Sequence, residues 1–462
     1  MGNDLVVKED TMKSSVHRRA LAVAGASLAI VLAGCGSATP GESASQSGDA
    51  SGKVTIEFWH RTFTPVENEW YKDIVKKFNE SQTDVVVKDT EIPADSWDQK
   101  LKAAQAAGKA PDVYTHSGFL DDAVNAKQLH DLDSIISKDS LGQIIDAAKP
   151  IAAKNGTFYA YPLLLEPQTA LFSNTDMLQK AGLDPEFAPT TWDELLDACA
   201  KIKPSLADGQ FCIAPAQDAQ TFAWSSVGQQ YNFQGHTALT DDWTAPNIDN
   251  PEFRSLLDYY KKLWDNGYMP KQLLNPYVEG KEFGEGKVAF KVSGSWMFSE
   301  IASDYPETLP FTRIHAFPST PSAKGDTTTT LGNFTWVVDA KSRNAKAAGA
   351  FIEWAIGSDP QNLVPFFVNT QFTKVPVRQS VQEAVKANEK AGSAPWQDVI
   401  VNEIAPKAIP EPTYPWDISL AVGTAIESTM TGAASANDAI ATANTAIKTV
   451  IDREKLPQKV QK

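Results

Sequence analysis

The sequence predicts an α/β protein with two lobes, in which strands alternate with helices. Near the amino terminus, strand-like runs at 54–59, 84–88 and 111–114 are separated by stretches whose apolar residues recur at helical spacing. Strands separated by helices of this length form parallel βαβ units. The length of 462 residues exceeds what a single hydrophobic core supports, which indicates two lobes.

The residues before the first strand resemble a bacterial lipoprotein signal. Basic residues precede an uncharged stretch, 20–33, and Leu-Ala-Gly-Cys closes the signal at Cys35. The stretch is shorter than the about 20 apolar residues of a membrane helix, so it reads as the hydrophobic part of a signal peptide. We expect residues 1–34 to be removed and Cys35 to carry a diacylglycerol. An ordinary cleaved signal with an incidental cysteine is the alternative, and acidic residues ahead of Met12 indicate translation from Met12.

Composition limits localisation and partners. Residues 35–53 are mostly Gly, Ser, Ala and Pro and lack the apolar residues needed to fold, so they are predicted to be a flexible, lipid-anchored linker. The protein is then expected outside the cytoplasm, on the outer face of the bacterial cell membrane. Its net charge of −15 argues against nucleic acid as a partner and against any membrane contact except the lipid anchor.

Two cysteines remain after Cys35, namely Cys199 and Cys212. In an oxidising compartment two remaining cysteines tend to pair, which predicts a disulfide that closes a short loop. Two buried thiols are the alternative.

The middle and the end of the chain contain four further helix signals. Thr191 and Glu194 form a capping box at the start of one helix. Asn250-Pro251 opens a second helix with a continuous apolar face. A third is predicted at 344–354 and a fourth at 437–451.

Five segments, taken in order, resemble the extracellular solute-binding proteins of bacterial sugar ABC importers, the group that includes maltose-binding protein. They are the first strand at 54–59, Pro111-Asp112-Val113, the segment 161–178, the segment 286–296 with Gly-Lys-Val-Ala-Phe and Ser-Gly-Ser-Trp, and the helix at 344–352. The resemblance covers nearly the whole chain after the signal.

The resemblance implies a periplasmic-binding-protein-like clam with a hinge, each lobe being a mainly parallel sheet flanked by helices. We expect an N-lobe of 54–165 plus 318–362 and a C-lobe of 166–317 plus 363–462. The crossings between the lobes are expected near 163–170, 314–318 and 359–370. A monomer of this kind captures an oligosaccharide between its lobes and delivers it to the ABC permease. It is not an enzyme and needs no cofactor and no metal.

The chemistry of a neutral oligosaccharide guides the choice of site residues. Such a ligand presents apolar C–H faces and many hydroxyls, so it needs flat aromatic surfaces together with fixed donors and acceptors. In open sheets, ligands bind beyond the carboxyl ends of the strands. The tryptophans at 70, 192, 264 and 354 fall in helices and are expected in the core. The predicted substrate-binding residues are Trp59, His60, Arg61, His116, Ser117, Glu166, Gln168, Trp224, Trp296, Asn333, Tyr414 and Trp416.

Several of these residues rest on the resemblance. Trp296 matches the family's cleft tryptophan, and the small residues beside it leave a ligand room to approach. Glu166 matches a crossover glutamate that accepts sugar hydroxyls in relatives, with a salt bridge at the hinge as the alternative. His116 stands where maltose-binding protein has a stacking tryptophan, a departure that affects the sugar pose. Arg61 has the fork geometry for neighbouring hydroxyls.

Two alternatives stay open. The same fold could bind a peptide, a metal or an anion, although the histidines are scattered and no arginine cluster is present. A lipid-anchored glycoside hydrolase would need two carboxylates across the scissile bond, and acidic residues are plentiful. Linkage and chain length of the sugar are not set by any motif.

Overall fold

The computed structural model describes residues 52–118, 120–391 and 394–459, which fall in one compact unit. The predicted signal peptide, the lipidated Cys35 and the linker up to residue 51 lie outside the described residues. Within the described part of the chain, no helix has the length and apolarity needed to cross a membrane.

Thirteen strands and seventeen α-helices are assigned within the described residues. The strands are β1 (Val54–Arg61), β2 (Val85–Ile92), β3 (Val113–His116), β4 (Ala153–Lys154), β5 (Thr157–Phe158), β6 (Ala160–Pro167), β7 (Ala170–Asn174), β8 (Phe211–Ala214), β9 (Val288–Ser293), β10 (Thr312–Ala316), β11 (Thr330–Val338), β12 (Val375–Pro376) and β13 (Ile409–Pro410). The helices are α1 (Pro65–Ser81), α2 (Trp97–Ala106), α3 (Asp121–Asn125), α4 (Lys138–Gly142), α5 (Thr175–Lys180), α6 (Trp192–Ile202), α7 (Ala219–Ser225), α8 (Val227–Gln234), α9 (Pro251–Asp265), α10 (Lys281–Gly284), α11 (Met297–Asp304), α12 (Ala345–Ile352), α13 (Val364–Asn369), α14 (Gln379–Lys386), α15 (Pro395–Asp398), α16 (Trp416–Thr431) and α17 (Ala436–Glu454).

The predicted helix starts are present with their caps. At α6 the backbone N–H of Glu194 donates to Thr191 Oγ1 over 3.2 Å, and Glu194 Oε2 accepts from the N–H of Thr191 over 3.3 Å. At α9 Asn250 Oδ1 accepts from the N–H of Phe253 over 2.7 Å. These bonds satisfy N–H groups that a helix leaves without an internal partner.

The first lobe is built on a sheet in the order β12-β6-β11-β3-β1-β2, with β13 beside β11. Strand β1 is parallel to β2 and β3, whereas β11 is antiparallel to both β3 and β6. The second lobe has a sheet in the order β10-β7-β9-β8, in which only the pair β8–β9 is parallel.

The α/β class is confirmed, but both sheets are mixed rather than mainly parallel. The reason is the route of the chain between the lobes. Strand β6 carries the chain out of the first sheet and β11 brings it back, so the two neighbours run in opposite directions. Strands β7 and β10 stand in the same relation in the second sheet. Parallel pairs remain where a helical crossover connects strands, as between β1, β2 and β3.

The lobe boundaries differ from the expected ones at two crossings. Residues 318–325 stay on the second lobe, where Ser319 bonds Thr190 and Lys324 bonds Asn232 through the backbone, so the crossing lies just before β11. Apolar side chains of 363–391 and Ala394, expected in the C-lobe, pack into the core of the first lobe. There the ring of Phe366 meets the edge of Trp70 at 5.0 Å, and β12 pairs with β6.

The third crossing therefore begins after residue 394. Trp396 stacks on Phe298 of the second lobe at 4.3 Å, and Ile400 and Ile404 join an apolar cluster there. The chain then returns to the first sheet as β13 and enters the second core at Tyr414.

Three connecting stretches run side by side between the lobes, and we call them the hinge: 167–170, 327–331 and 407–411. The N–H of Gln168 donates to the carbonyl of Thr330 over 3.0 Å, and that of Thr169 donates to Thr329 Oγ1 over 2.9 Å. The N–H of Ile409 donates to the carbonyl of Thr329 over 3.2 Å. The hinge is thus a hydrogen-bonded ribbon rather than three separate linkers.

Candidate functional site

Three aromatic rings of the second lobe pack together beside the hinge, and we call Trp224, Tyr277 and Trp296 the aromatic wall. Trp224 lies in α7, and Trp296 comes directly before α11. The centroids of the Trp296 and Trp224 indoles are 6.3 Å apart. The rings of Trp224 and Tyr277 meet edge to face, with their centroids 5.3 Å apart. The two indoles are half-buried while Tyr277 is buried. The wall therefore presents indole surface, of the kind that stacks on the C–H face of a sugar.

The indole of Trp296 lies directly over the backbone of Gly294. A Cβ at residue 294 would stand 1.9 Å from an atom of that ring, so glycine is required for this placement. The indole N–H donates to the carbonyl of Val278 over 2.9 Å, which fixes the ring's orientation. Gly294, one of the small residues expected to leave room for a ligand, instead makes room for Trp296 itself.

Polar groups of the hinge lie next to the aromatic wall. Gln168 donates from Nε2 to Glu411 Oε1 over 2.8 Å, and its Oε1 accepts from the hydroxyl of Thr330 over 2.6 Å. The hydroxyl of Tyr277 donates to the carbonyl of Gln168 over 3.2 Å. Gln168 thereby connects two strands of the hinge with the wall.

Glu411 and Tyr277 were not predicted from the sequence. A Cβ at Gly118, in the loop after β3, would stand 3.9 Å from Glu411 Oε2, so this carboxyl group lies between the hinge and the first lobe. Burial raises the pKa of Glu411 to about 7, against the hydrogen bond from Gln168. In sequence Glu411 is one acid in a proline-rich stretch, and no local signal distinguishes it.

Glu166 forms a buried ion pair in the first lobe. Its Oε2 lies 2.6 Å from Lys374 Nζ, which also lies 3.4 Å from Glu67 Oε1. Burial raises the pKa of Glu166, with Lys374 opposing and Glu67 adding to the shift. Burial opposes the charge on Lys374, but the two carboxylates prevail and raise its pKa. This arrangement is the salt bridge that was the alternative for Glu166.

A second aromatic surface lies at the carboxyl end of β1. The rings of Phe63 and Phe334 meet edge to face at 4.7 Å, and the guanidinium carbon of Arg61 lies within 5.7 Å of both ring centroids. Both rings are half-buried. Burial lowers the pKa of Arg61, although nearby Glu166 and Asp98 oppose the shift. Arg61 thus presents a positive charge over apolar rings.

Asn333 and His116 hold polar atoms without protein partners. Asn333 is 3% exposed, and neither Oδ1 nor Nδ2 has a hydrogen bond within the described residues. The same holds for His116 Nδ1. Burial lowers the pKa of His116 to about 4, so the ring is neutral at pH 7. A buried polar group without a partner costs about 1–3 kcal/mol.

The other predicted residues lie elsewhere. His60 is fully buried, stacks on Tyr71 at 4.3 Å, and has Nε2 3.3 Å from Asp89 Oδ1. Trp59 packs half-buried on the outer core of the first lobe. Ser117 is exposed after β3.

The carboxyl-terminal pair, Tyr414 and Trp416, belongs to the second lobe. Tyr414 shares an apolar cluster with Tyr277 of the aromatic wall, and α16, which begins at Trp416, packs on α7. Tyr414 is buried in the second core, where its ring meets the edge of Trp243 at 6.2 Å. Trp416 begins α16 and is 46% exposed. Of the four tryptophans expected in the core, Trp70 and Trp192 are buried, and the other two are half-buried.

A disulfide joins Cys199 of α6 to Cys212 of β8, with the Cα atoms 5.3 Å apart. It is the pairing expected from the sequence, and it lies in the core of the second lobe. Within the described residues, no group of three or more His, Cys, Asp or Glu side chains could hold a metal ion.

Comparison with known proteins gives consistent matches. The family model of the bacterial extracellular solute-binding proteins matches residues 64–362. The chain is 25% identical to the arabinooligosaccharide-binding protein of Bacillus subtilis over 350 residues, or 72% of this chain and 75% of the relative. It is 30% identical to the sn-glycerol-3-phosphate-binding periplasmic protein UgpB of Agrobacterium fabrum over 199 residues, or 40% of this chain and 42% of the relative.

A solved structure matches over a longer range. The cyclic alpha-maltosyl-1,6-maltose binding protein from Arthrobacter globiformis superimposes with a TM-score of 0.67 at 25% identity. The match covers 87% of this chain and 100% of the other.

Proposed function

Because this chain belongs to the bacterial extracellular solute-binding proteins, we propose that it captures a neutral oligosaccharide between its lobes and delivers it to an ABC permease. The family consists of binding proteins rather than enzymes, and it works outside the cytoplasm. The aromatic wall is the observation that carries the choice of ligand. Two half-buried indoles beside a hydrogen-bonded hinge suit the stacked faces and hydroxyls of a sugar.

The charges near the proposed site favour a neutral ligand over a phosphorylated one. Glu67, Glu166 and Glu411 surround the hinge side of the first lobe, whereas Lys374 is already shared between two of these carboxylates. Arg61 is a further cation on this side of the first lobe, and Asp98 and Glu166 nearby balance its charge. A phosphate group would therefore meet more negative than positive charge.

The relatives support the same choice. The arabinooligosaccharide-binding protein matches over a larger share of this chain than the sn-glycerol-3-phosphate-binding protein does. We therefore put arabino-oligosaccharides and α-gluco-oligosaccharides first among the candidate ligands.

The lipid anchor is a separate part of the proposal, and it rests on the signal that ends at Cys35. In bacteria fed with labelled palmitate, the chain should take up label, and the Cys35→Ser variant should not. A protein that is released unlabelled from wild-type cells would contradict the anchor without touching the choice of ligand.

Calorimetry tests the ligand directly. The panel is arabinotriose, maltotriose, mannobiose and sn-glycerol 3-phosphate, titrated into the purified chain. We expect at least one neutral saccharide to bind at micromolar concentration or below and the phosphate compound to give no heat. Tight binding of sn-glycerol 3-phosphate together with silence from every saccharide would overturn the proposal.

A further inference from the structure

A four-residue segment, 277–280, connects the aromatic wall to the hinge. Its first residue, Tyr277, donates from its hydroxyl to the carbonyl of Gln168 over 3.2 Å. The carbonyl of Tyr277 accepts from Ser293 Oγ over 3.0 Å. The carbonyl of Val278 accepts from the Trp296 indole over 2.9 Å. A shift of this segment would therefore move a wall residue and a hinge contact together.

A buried charge pair lies beneath Tyr277. Lys291, on β9, places Nζ 5.6 Å from the centroid of the Tyr277 ring, within the range of a cation–π contact. The same ammonium donates to Glu282 Oε1 over 2.6 Å. Both side chains are at most 2% exposed, so solvent hardly screens the pair.

Burying this ion pair in the core costs free energy of desolvation. Removing two charges from water costs several kcal/mol, and apolar side chains of similar volume often do as well or better for stability. The second oxygen of Glu282 is also buried without a hydrogen-bond partner in the described residues. Stability alone is therefore a weak reason for the pair, whereas its contact with the Tyr277 ring links it to the aromatic wall.

We propose that Lys291, held by Glu282, is a positioning residue for ligand binding, which fixes Tyr277 so that the aromatic wall and the hinge move as one unit. The inference rests on the proposed function, since it assumes that a saccharide stacks on Trp224 and Trp296. Lys291 itself does not contact the ligand. It acts through the ring of Tyr277, which meets the ring of Trp224 edge to face.

The first test replaces the pair by apolar side chains of similar length, in the double variant K291M/E282M. We expect unchanged or higher thermal stability, together with a loss of affinity for arabinotriose, or for the panel saccharide that binds wild type best, of about tenfold. The near-ultraviolet circular dichroism of the tryptophans should also change. The matched control is K154M/D121N, which removes an ion pair of the first lobe and should leave affinity unchanged.

The second test uses Tyr277→Phe, which keeps the ring over Lys291 and removes only the bond to Gln168. We expect about fivefold weaker binding. Because Lys291 acts through Tyr277, adding Tyr277→Phe to the double variant should cost little more, so that the two effects are not additive. This variant keeps the proposal testable if the double variant does not fold.

The outcomes separate the two proposals. If wild type binds no saccharide of the panel, the proposed function fails. The tryptophan dichroism then still tests the positioning role, which an unchanged spectrum of K291M/E282M contradicts. If wild type binds and the folded double variant binds equally well, the inference is wrong and the proposed function stands. Additive losses from the two sets of substitutions would also overturn it.

Discussion

At the scale of single residues, the proposed site depends on where one indole lies. Trp296 is held from two sides, by the carbonyl of Val278 and by the bare backbone of Gly294. The ring is half-buried, so one part packs on the protein while the rest stays available to a ligand. Removing this surface should affect binding far more than folding.

For Trp296→Ala we expect saccharide affinity to fall by about 10–100-fold, because an aromatic surface of this size contributes about 1.5–3 kcal/mol when covered. Circular dichroism should report an intact fold. Trp264→Ala is the control, since that indole is also half-buried in the second lobe but lies against Lys271 rather than in the wall. Equal affinity of Trp296→Ala and wild type by calorimetry would remove Trp296 from the site.

Gly294→Ala tests the placement of the same ring without deleting it. The added methyl group cannot share space with the indole, so the ring must leave its position. We expect a loss of affinity comparable to that of Trp296→Ala, with altered tryptophan fluorescence. Gly142→Ala, where a Cβ meets nothing within 4 Å, is the control. A variant that binds like wild type would indicate that ligand contact does not depend on this ring position.

At the scale of elements, α11 holds the segment that supports the wall. Glu300 of this helix accepts from the N–H of Gly280 over 2.8 Å. Burial raises the pKa of Glu300 to about 7, with the Gly280 bond opposing and nearby Glu279 and Asp304 adding to the shift. A carboxyl group whose pKa is raised by folding favours the folded state at low pH. That contribution is lost as the pH rises from the usual value toward 7.

Glu300→Gln removes this titration while keeping an oxygen that can accept from Gly280. We expect the variant and wild type to be equally stable near pH 4.5, and the variant to be more stable by about 1 kcal/mol at pH 8. Urea unfolding at both pH values measures the difference. The control is Glu307→Gln, which makes the same change of charge at an exposed position. Its free energy of unfolding should differ from that of wild type by the same amount at both pH values. If the free energies of unfolding of Glu300→Gln and wild type differ by the same amount at both pH values, the prediction is wrong.

At the scale of the whole molecule, the hinge connects the two lobes through three stretches of chain that are hydrogen-bonded to one another. Thr169, Thr329 and Ile409 belong to three different passages of the chain, yet they are linked by successive hydrogen bonds. A ligand that touches both lobes shifts the balance between open and closed forms only through its different affinity for the two.

Small-angle scattering should therefore detect the ligand. We expect the radius of gyration of the chain to fall when saturating saccharide is added, because closure brings the two lobes together. Trp296→Ala at the same concentration is the control and should keep the larger radius. An unchanged radius in wild type with calorimetrically proven binding would contradict closure.

The sequence predicted the class and the family, because these depend on local patterns. Thr191, Asn250 and the strand at 54–59 carry their signals within a few residues. The third crossing was misplaced because the apolar helix containing Phe366 could pack against either lobe, and only the contact with Trp70 decides. Strand direction depends on the route between lobes, which is a long-range property.

Part of the candidate site's geometry could be anticipated from the sequence, whereas the ligand-binding role of its residues stays a prediction. Trp224, Trp296 and Gln168 were named from the sequence. The structure places the Trp224 ring beside those of Trp296 and Tyr277, and the carbonyl of Gln168 at the Tyr277 hydroxyl. Tyr277 and Glu411 were missed because their importance comes from contacts across 109 and 243 positions of the chain. No periodicity or spacing encodes such contacts.

The position of β11 also determines when folding can finish. This strand fills the gap between β3 and β6, although it begins more than two hundred residues after β3 ends. Until β11 has been synthesised, β3 and β6 each have an unpaired edge in the first lobe. Such edges can pair with strands of other chains. The amino-terminal lobe is therefore completed late, and its maturation waits for residues made long after its own first strands.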